Sequence, residues 1–360
     1  MNKRIQSCVI GVALIAASQL ALGDPPCGPD LERFKLINDL GSGASGDTFE
    51  VEQLTPKKTM VMKITVCATG GARDSWKRET ANYNNLAGAQ DAPLFMQQTA
   101  APFACMGPLR TSKHDWWEES ASKPERLKTA ESGLLCFVLL EKAERAFAYG
   151  KTKPSLPAVR AANEKMAKTA LYQIVYAHYL GFVKSGFQNW DLKENNVMYA
   201  AWPGDNGQDR MCLTWRRPSR DRGSPAPEQG RCFTKADANS HIIKVMDLDI
   251  STSGGIDKVP RVKNATADKT DAKSIKAIWT NIKPNGIQAS AEAAFLTLLD
   301  VLDSKTPKGS LDDLRAAYAD YKAAFEDVLA ADFWRTLDDA SQCASSTCKK
   351  YTISDPLTPR

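Results

Sequence analysis

The sequence has few of the features that metal-binding, membrane or repeat proteins require. Its 360 residues include three histidines, and none of its nine cysteines belongs to a Cys-x-x-Cys pair. Zinc sites are built from closely spaced cysteines and histidines, so a zinc protein is not expected. We find no internal repeat. Beyond the first 22 residues, no apolar run approaches the roughly twenty residues that span a bilayer.

The chain also lacks a large net charge. The formal charge is +5 at pH 7. Removal of a leader that carries Lys3 and Arg4 would subtract two positive charges and leave +3. Domains that bind nucleic acid usually carry a much stronger basic balance. No nucleic-acid partner is therefore expected.

The start of the chain has the order of features found in a secretory signal peptide. Two basic residues come first, residues 8–22 are almost wholly apolar, and Ala21 and Gly23 are small residues at the positions that determine cleavage. We predict a signal peptide over residues 1–23, and hence a secreted protein or one in the secretory-pathway lumen. An uncleaved membrane anchor is the alternative, although the apolar core is shorter than a spanning helix needs.

Loss of the leader removes Cys8 and leaves eight cysteines. Cys212 and Cys232 flank a loop rich in proline, glycine and arginine, and Cys343 and Cys348 lie close together in a polar tail. In an oxidising compartment such cysteines form disulfides. We predict a Cys212–Cys232 disulfide, and Cys343 and Cys348 are candidates to pair with each other.

The remaining cysteines are less informative. Cys67 and Cys136 lie in apolar, strand-like runs, which favours buried thiols. Cys27 and Cys105 fit either a thiol or a disulfide. The tripeptide that begins at Asn264 is an acceptor site for N-glycosylation, which agrees with a secreted protein.

The most informative stretch is residues 188–198. It places Asp191, Lys193 and Asn196 at the spacing Asp-x-Lys-x-x-Asn. Apolar residues recur at helical spacing over residues 171–182, which predicts a helix that leads into this loop. Taken alone, the short spacing pattern would also fit an ordinary polar turn.

Two further segments carry charged residues in apolar surroundings. Residues 242–246 form an apolar run typical of a buried strand, and Asp247 and Asp249 follow it. Residues 59–65 are rich in strand formers and contain Lys63, which is costly inside a sheet unless it has a partner. A solvated lysine at a strand edge is the alternative.

A glycine-rich segment precedes Lys63 and lies between two predicted strands. Its residues are Gly41, Ser42, Gly43, Ala44, Ser45 and Gly46. Glycines let backbone amides approach phosphate groups without obstruction by side chains. A strand after the last glycine argues against a dinucleotide fold, which would have a helix there.

Two segments after Lys63 complete the pattern. Residues 73–86 contain good helix formers, and Glu79 is the only acidic residue between Asp74 and Asp91. We predict that Glu79 pairs with Lys63, with a surface glutamate as the alternative. Residues 134–140 form an apolar strand that ends at Glu141.

In this order, these segments together resemble the protein kinase superfamily over about residues 36–279. The resemblance implies an α+β fold with two lobes. The implied divisions are a signal peptide (residues 1–23), an N-terminal extension (24–33), a β-rich lobe up to the hinge (34–143), a mostly helical lobe (144–335) and a tail (336–360). An insertion at residues 203–240 is expected to extend a hairpin; a solvated loop is favoured over a docking site for an acidic partner.

The resemblance also implies roles for the residues of the loop. Asp191 would orient the substrate hydroxyl, and Lys193 would offset developing charge. Asn196 and Asp247 would bind Mg²⁺ or Mn²⁺. Lys193 at this place is typical of members that act on serine and threonine.

The first lobe would bind ATP. Lys63, held by Glu79, and the backbone of residues 41–46 would contact the phosphates. Backbone groups of Glu141 and Ala143 would contact the adenine at the hinge.

The chain departs from the family pattern in four ways. Asn189 and Trp190 replace the usual His-Arg, and Asp247-Leu248-Asp249 replaces Asp-Phe-Gly. The insertion separates Asn196 from Asp247 by 51 positions. The Ala-Pro-Glu motif is absent, and Asp271, in the segment that resembles the helix supporting the catalytic loop, follows Asp247 by only 24 positions. The activation segment is therefore short.

The sequence thus predicts an ATP-dependent kinase of Ser/Thr hydroxyls in secreted or luminal proteins. One alternative is a pseudokinase that binds nucleotide and acts as a scaffold or activator, which the two replaced motifs favour. Another is a kinase of small molecules, which the short activation segment favours. The sequence does not predict an oligomeric state.

Overall fold

The computed structural model describes residues 24–43, 46–67, 69–87, 94–110, 127, 133–146, 163–203, 209–216, 228–248, 251, 269–307, 311–342 and 348–353. Several predictions fall outside them: the signal peptide, the glycosylation site at Asn264, and the positions of Ala44, Ser45, Asp249 and Cys343. The chain divides into two compact units. One contains Met1–Arg73 and Pro102–Val138, and the other contains Asp74–Ala101 and Leu139–Arg360.

The first unit is built on a five-stranded sheet with the order β1-β2-β3-β5-β4. The strands are β1 Phe34–Gly43, β2 Gly46–Leu54, β3 Lys57–Val66, β4 Phe103–Met106 and β5 Leu134–Leu140, and the short helix α1, Gly28–Leu31, precedes them. All seven residues of β5 are buried. A continuous apolar run is what a strand covered on both faces needs, because every side chain then avoids water.

Two cysteine pairs in this unit lie at disulfide distance. The Cα atoms are 4.8 Å apart for Cys27 and Cys105 and 6.0 Å apart for Cys67 and Cys136. The prediction that Cys67 and Cys136 are thiols is wrong. Cys67 directly follows β3 and its N–H donates to Leu134 O of the neighbouring strand β5, so residues 69 positions apart become neighbours.

The second unit carries most of the helices. Helix α2 is Gly70–Ala87, and α3 Glu164–Ser185, α4 Asp271–Ile282, α5 Ala289–Ser304 and α6 Leu311–Ala330 follow. Asn163 caps α3 by accepting the Met166 N–H, and Gly186 ends it with φ 65°. Nearly every residue of α3 is buried, including Phe182, which packs edge-on against Tyr321 and stacks with Phe325 of α6. Helix α3 is therefore the central helix of this unit.

Two smaller sheets complete the second unit, with the orders β10-β7-β6 and β11-β9-β8-β12. The strands are β6 Arg145–Ala146, β7 Val197–Ala201, β8 Arg210–Arg216, β9 Glu228–Thr234, β10 His241–Val245, β11 Asp338–Asp339 and β12 Cys348–Ile353. The predicted insertion contains the antiparallel β8–β9 hairpin. Strand β12 of the tail lies parallel to β8, which the sequence did not indicate.

Three cysteines meet in the β8–β9–β12 sheet. Cys212 and Cys232 face each other across β8 and β9, with Cα atoms 4.1 Å apart, and Cys348 Cα lies 6.5 Å from Cys212 Cα. The Cys212 sulfur lies at bonding distance from both partners. A sulfur atom forms one disulfide, so the predicted Cys212–Cys232 bond has an alternative in Cys212–Cys348. Cys343, the candidate partner of Cys348, lies outside the described residues.

The chain is therefore a mixed α+β protein with a β-rich N-terminal region and a helical C-terminal part. Among the described helices, none combines the length and apolar character that crossing a bilayer demands.

Candidate active site

The loop after α3 is anchored by a buried carboxylate. Asp271, in the first turn of α4, accepts the Asn189 N–H with both oxygens, at 3.0 and 3.2 Å. It also accepts a backbone hydrogen bond from Trp190, whose φ is 57°. A bulky residue in the left-handed region is strained by roughly 1 kcal/mol or more, and persists where its surroundings hold it. Asp271 supplies such a hold.

Burial sets the electrostatics of this anchor. Desolvation raises the pKa of Asp271, and the nearby His178 and the two backbone hydrogen bonds oppose that increase. His178 is itself buried in α3, and its Nδ1 lies 2.8 Å from Ile174 O. The resemblance of the sequence pattern to kinases implied that Asp271 supports the loop, and the structure shows its hydrogen bonds to the Asn189 N–H.

Asp191 lies at the centre of a polar cluster. Its side chain is 15% exposed, and Lys193 Nζ contacts its Oδ2 at 2.6 Å. The Asn196 side-chain amide donates to Asp191 O at 2.9 Å and to Oδ2 at 3.2 Å. Lys269 Nζ lies 3.7 Å from Oδ1. The three residues of the predicted Asp-x-Lys-x-x-Asn pattern are thus brought together, and Lys269 joins them.

The register of β7 and β10 brings Asn196 close to Asp247. Val197 pairs with Val245, so the residue before β7 and the residues after β10 lie at one end of the hairpin. The Met246 N–H donates to Asn196 O at 2.9 Å. Asn196 and Asp247 therefore lie close together although they are 51 positions apart, because the insertion emerges from the other end of the hairpin.

Helix α2 holds the segment that follows Asp247. The Asn82 side-chain amide donates to Leu248 O and Ser251 O, both at 2.8 Å. The Asp247 N–H donates to the Tyr83 hydroxyl at 3.1 Å, and Asp247 has φ 60°. Neither Asn82 nor Tyr83 was predicted as part of the site. The one signal for them was their place in the helix that contains Glu79.

The donor set fits a hard divalent cation. The Asn196 amide nitrogen is used on Asp191, which leaves Oδ1 as the atom that a metal ion takes. Asp247 offers a partly exposed carboxylate at the same end of the hairpin. Amide and carboxylate oxygens are the ligands that Mg²⁺ and Mn²⁺ prefer.

The described glycines of the glycine-rich segment lie where β1 ends and β2 begins in the first unit. Gly43 pairs with Gly46, and Gly41 has φ 127°, where side chains are rarely tolerated. A Cβ atom on Gly46 would lie 2.6 Å from Ile64 O. The predicted strands on both sides of the glycine-rich segment are present. Lys63 pairs with Thr48 in the β2–β3 register and is buried, so it is not a solvated edge lysine.

The other residues predicted to take part in nucleotide binding lie in the second unit. Glu79 of α2 is buried, so it is not a surface glutamate. Its ion pair with Lys63 stays a prediction. The Glu141 N–H donates to Gln97 O at 2.9 Å, and its carboxylate accepts from Lys244 Nζ at 2.5 Å. Ala143, two residues further, is buried.

No model of a known protein family matches this chain, and no curated protein matches it either. Membership of the protein kinase superfamily therefore stays a prediction from the residue pattern.

Proposed function

We propose that this protein is an ATP-dependent phosphotransferase of the Ser/Thr protein-kinase type that acts in the secretory pathway or outside the cell. The observation that carries the proposal is the cluster of Asp191, Lys193 and Asn196 at the same end of the hairpin as Asp247. A phosphoryl-transfer site needs a carboxylate for the hydroxyl, a cation for developing charge and oxygen ligands for the metal.

In the proposed reaction, Asp191 accepts a hydrogen bond from the acceptor hydroxyl and takes its proton. The hydroxyl oxygen bonds to the γ-phosphorus as the bond from that phosphorus to the β–γ bridging oxygen breaks, and ADP leaves. Lys193, 2.6 Å from Asp191, offsets charge on the transferring group. Asn196 and Asp247 would hold Mg²⁺ or Mn²⁺, which neutralises the phosphate oxygens.

The nucleotide contacts are proposed on the remaining residues. Lys63, with Glu79 as its proposed ion-pair partner, would bind phosphate oxygens, and the backbone near Gly41 and Gly46 would cover them. Backbone groups near Glu141 and Ala143 would meet the adenine. The secretory location is supported by cysteine pairs at disulfide distance in both units, since such bonds persist in oxidising compartments.

One observation favours a pseudokinase that binds nucleotide as the second candidate. Lys193 and Lys269 both contact the Asp191 carboxylate. Lys193 contacts Oδ2 and Lys269 contacts Oδ1, so both carboxylate oxygens are engaged where an acceptor hydroxyl would have to bind.

The deciding experiment combines phosphoryl transfer with thermal stability. With labelled ATP, Mg²⁺ or Mn²⁺ and a mixed secretory-pathway extract as acceptor, Asp191→Asn should abolish most transfer. It should leave stabilisation by ATP and metal nearly intact, because Asp191 acts on the hydroxyl. Asp247→Asn should weaken both, because it removes a metal ligand.

Two outcomes would change the assignment. Wild-type protein no more active than Asp191→Asn with either metal would favour the pseudokinase. ATP that stabilised the protein equally with EDTA and with Mg²⁺ would contradict the roles given to Asn196 and Asp247.

A further inference from the structure

A cavity of about 330 Å³ lies beside the candidate catalytic loop, within the second unit. The loop contributes Leu192, Lys193 and Glu194 to its wall, and α4 with the residue before its cap contributes Lys269, Lys273 and Ile278. Leu192 and Ile278 are buried and form apolar parts of the wall. The cavity therefore combines an apolar surface with charged groups at its margin.

The charge of this margin is positive. Three of the lining residues are lysines and one is an acid, Glu194, whose carboxylate accepts a hydrogen bond from Asn281. The side chains of Lys269 and Lys273 are 57% and 42% exposed. Lys269 Nζ lies 3.7 Å from Asp191 and Lys273 Nζ lies 3.7 Å from Asp303. Such long, solvated contacts are weak, so an anion in the cavity can compete with them.

We infer that this cavity binds an acidic side chain of the acceptor protein, close to the hydroxyl that Asp191 orients. The inference rests on the proposed function and specifies its substrate class. Lys269 lines the cavity and also contacts Asp191, so an anion bound to Lys269 in the cavity lies beside the hydroxyl that Asp191 orients. A neutral neighbour would form no ion pair with the lysines that line the cavity, and a basic one would be repelled by them.

The same contact links substrate binding to the state of Asp191. Lys269 lies 3.7 Å from Oδ1, while Lys193 and Asn196 contact Oδ2. An acceptor carboxylate that draws Lys269 into the cavity leaves Oδ1 to accept the hydroxyl. Acidic substrates should therefore gain in turnover as well as in binding.

The test uses the full chain and two serine peptides of equal length. One has Asp and Glu around the serine, and the other has Asn and Gln at the same places. We expect the acidic peptide to be favoured by at least about fivefold in kcat/KM, as one exposed ion pair allows. Lys273→Gln should bring this ratio close to one.

Lys276→Gln is the matched control. Lys276 lies on the same helix one turn further, its side chain is 39% exposed, and it pairs with Asp300 of α5 as Lys273 does with Asp303. It does not line the cavity. The peptide ratio should be unchanged in this variant. An equal loss in both lysine variants would overturn the inference, since it would reduce the effect to net charge.

A binding measurement separates this inference from the proposed function. Fluorescence anisotropy with the labelled acidic peptide, without nucleotide, should show tighter binding than with the neutral peptide, and Lys273→Gln should remove the difference. If the acidic peptide binds more tightly but no phosphoryl transfer is detected, the cavity binds acidic side chains and the proposed kinase activity is refuted. If transfer occurs without a preference for the acidic peptide, the kinase activity is supported and the inference about the cavity is refuted. If Lys273→Gln weakened phosphoryl transfer to glycerol phosphate but not to the acidic peptide, the cavity would bind the anion of a small-molecule acceptor. That result would overturn the inference that the acceptor is a protein.

Discussion

Two hairpins of the second unit are held in different ways. The β7–β10 hairpin and the loop before it are fixed by buried polar side chains that contact backbone atoms. Gln173 of α3 accepts the Ile243 N–H at 3.0 Å, and Asp271 accepts the Asn189 N–H. The β8–β9 hairpin also has such a contact, from the buried Tyr176 hydroxyl of α3 to Thr214 O at 2.8 Å, but it is held in addition by its cysteines and by charged residues at its margin. Glu228, for example, contacts Lys350 at 2.5 Å.

The difference teaches what each hairpin requires. A buried hydrogen bond to the backbone has a narrow range of distance and angle, so it fixes a loop to within a fraction of an ångström. The candidate catalytic residues need that accuracy. The disulfide and the partly exposed ion pairs that the β8–β9 hairpin has in addition attach a strand without fixing each residue so closely, which suffices for an insertion. Substitutions should therefore affect the two hairpins differently.

The largest effect is expected from Asp271→Ala. The change leaves two buried N–H groups, of Asn189 and Trp190, without an acceptor, and each costs about 1–3 kcal/mol. We expect the free energy of unfolding to fall by roughly 4 kcal/mol, measured by urea denaturation. Asp271→Asn keeps one oxygen acceptor and should lose less. Equal stability of the alanine variant and the wild type would contradict the anchoring role.

An intermediate effect is expected from Cys212→Ser. Cys212 belongs to both alternative pairings, so its loss removes either one, and unfolding should become easier by about 3 kcal/mol. Cys232→Ser and Cys348→Ser each leave the other pairing possible and should have smaller effects. Peptide mapping without reduction should find Cys212 linked to one of the two. A loss in Cys232→Ser as large as in Cys212→Ser would show that only one pairing forms.

The smallest effect concerns pH and Glu228. Burial acts to raise the pKa of Glu228, but hydrogen bonds from Lys350, Thr214 and Thr352 outweigh it and hold the pKa below its ordinary value of 4.5. The ionised form is thus favoured in the folded state. Its stabilisation is present above pH 4.5 and is lost as the pH falls through the lower folded pKa.

The Tm difference between the wild type and Glu228→Gln measures this contribution. It should be largest near neutral pH and should shrink as the pH falls below about 4.5. If the Tm difference did not change with pH, the ionised charge of Glu228 would not contribute to stability.

Short-range patterns were enough to predict much of the candidate site. Asp191, Lys193 and Asn196 lie within six consecutive residues, so their mutual contacts depend on one loop and the helix before it. The glycine turn is also local, because β1 and β2 are consecutive strands. The helix of residues 171–182 was predicted, although the structure extends it to Glu164–Ser185. Its ends are set by the Asn163 cap and Gly186, which apolar periodicity does not reveal.

By itself, then, the sequence determined the α+β character, the order of the elements and the composition of the candidate catalytic loop, because local propensity and periodicity depend on neighbouring residues. Only the tertiary structure decided which distant residues meet. Cys67 and Cys136, Lys269 and Asp191, and Cys348 and Cys212 come together through strand order and helix packing. Such contacts join segments 69 or more positions apart, and no pattern within one segment specifies its partner.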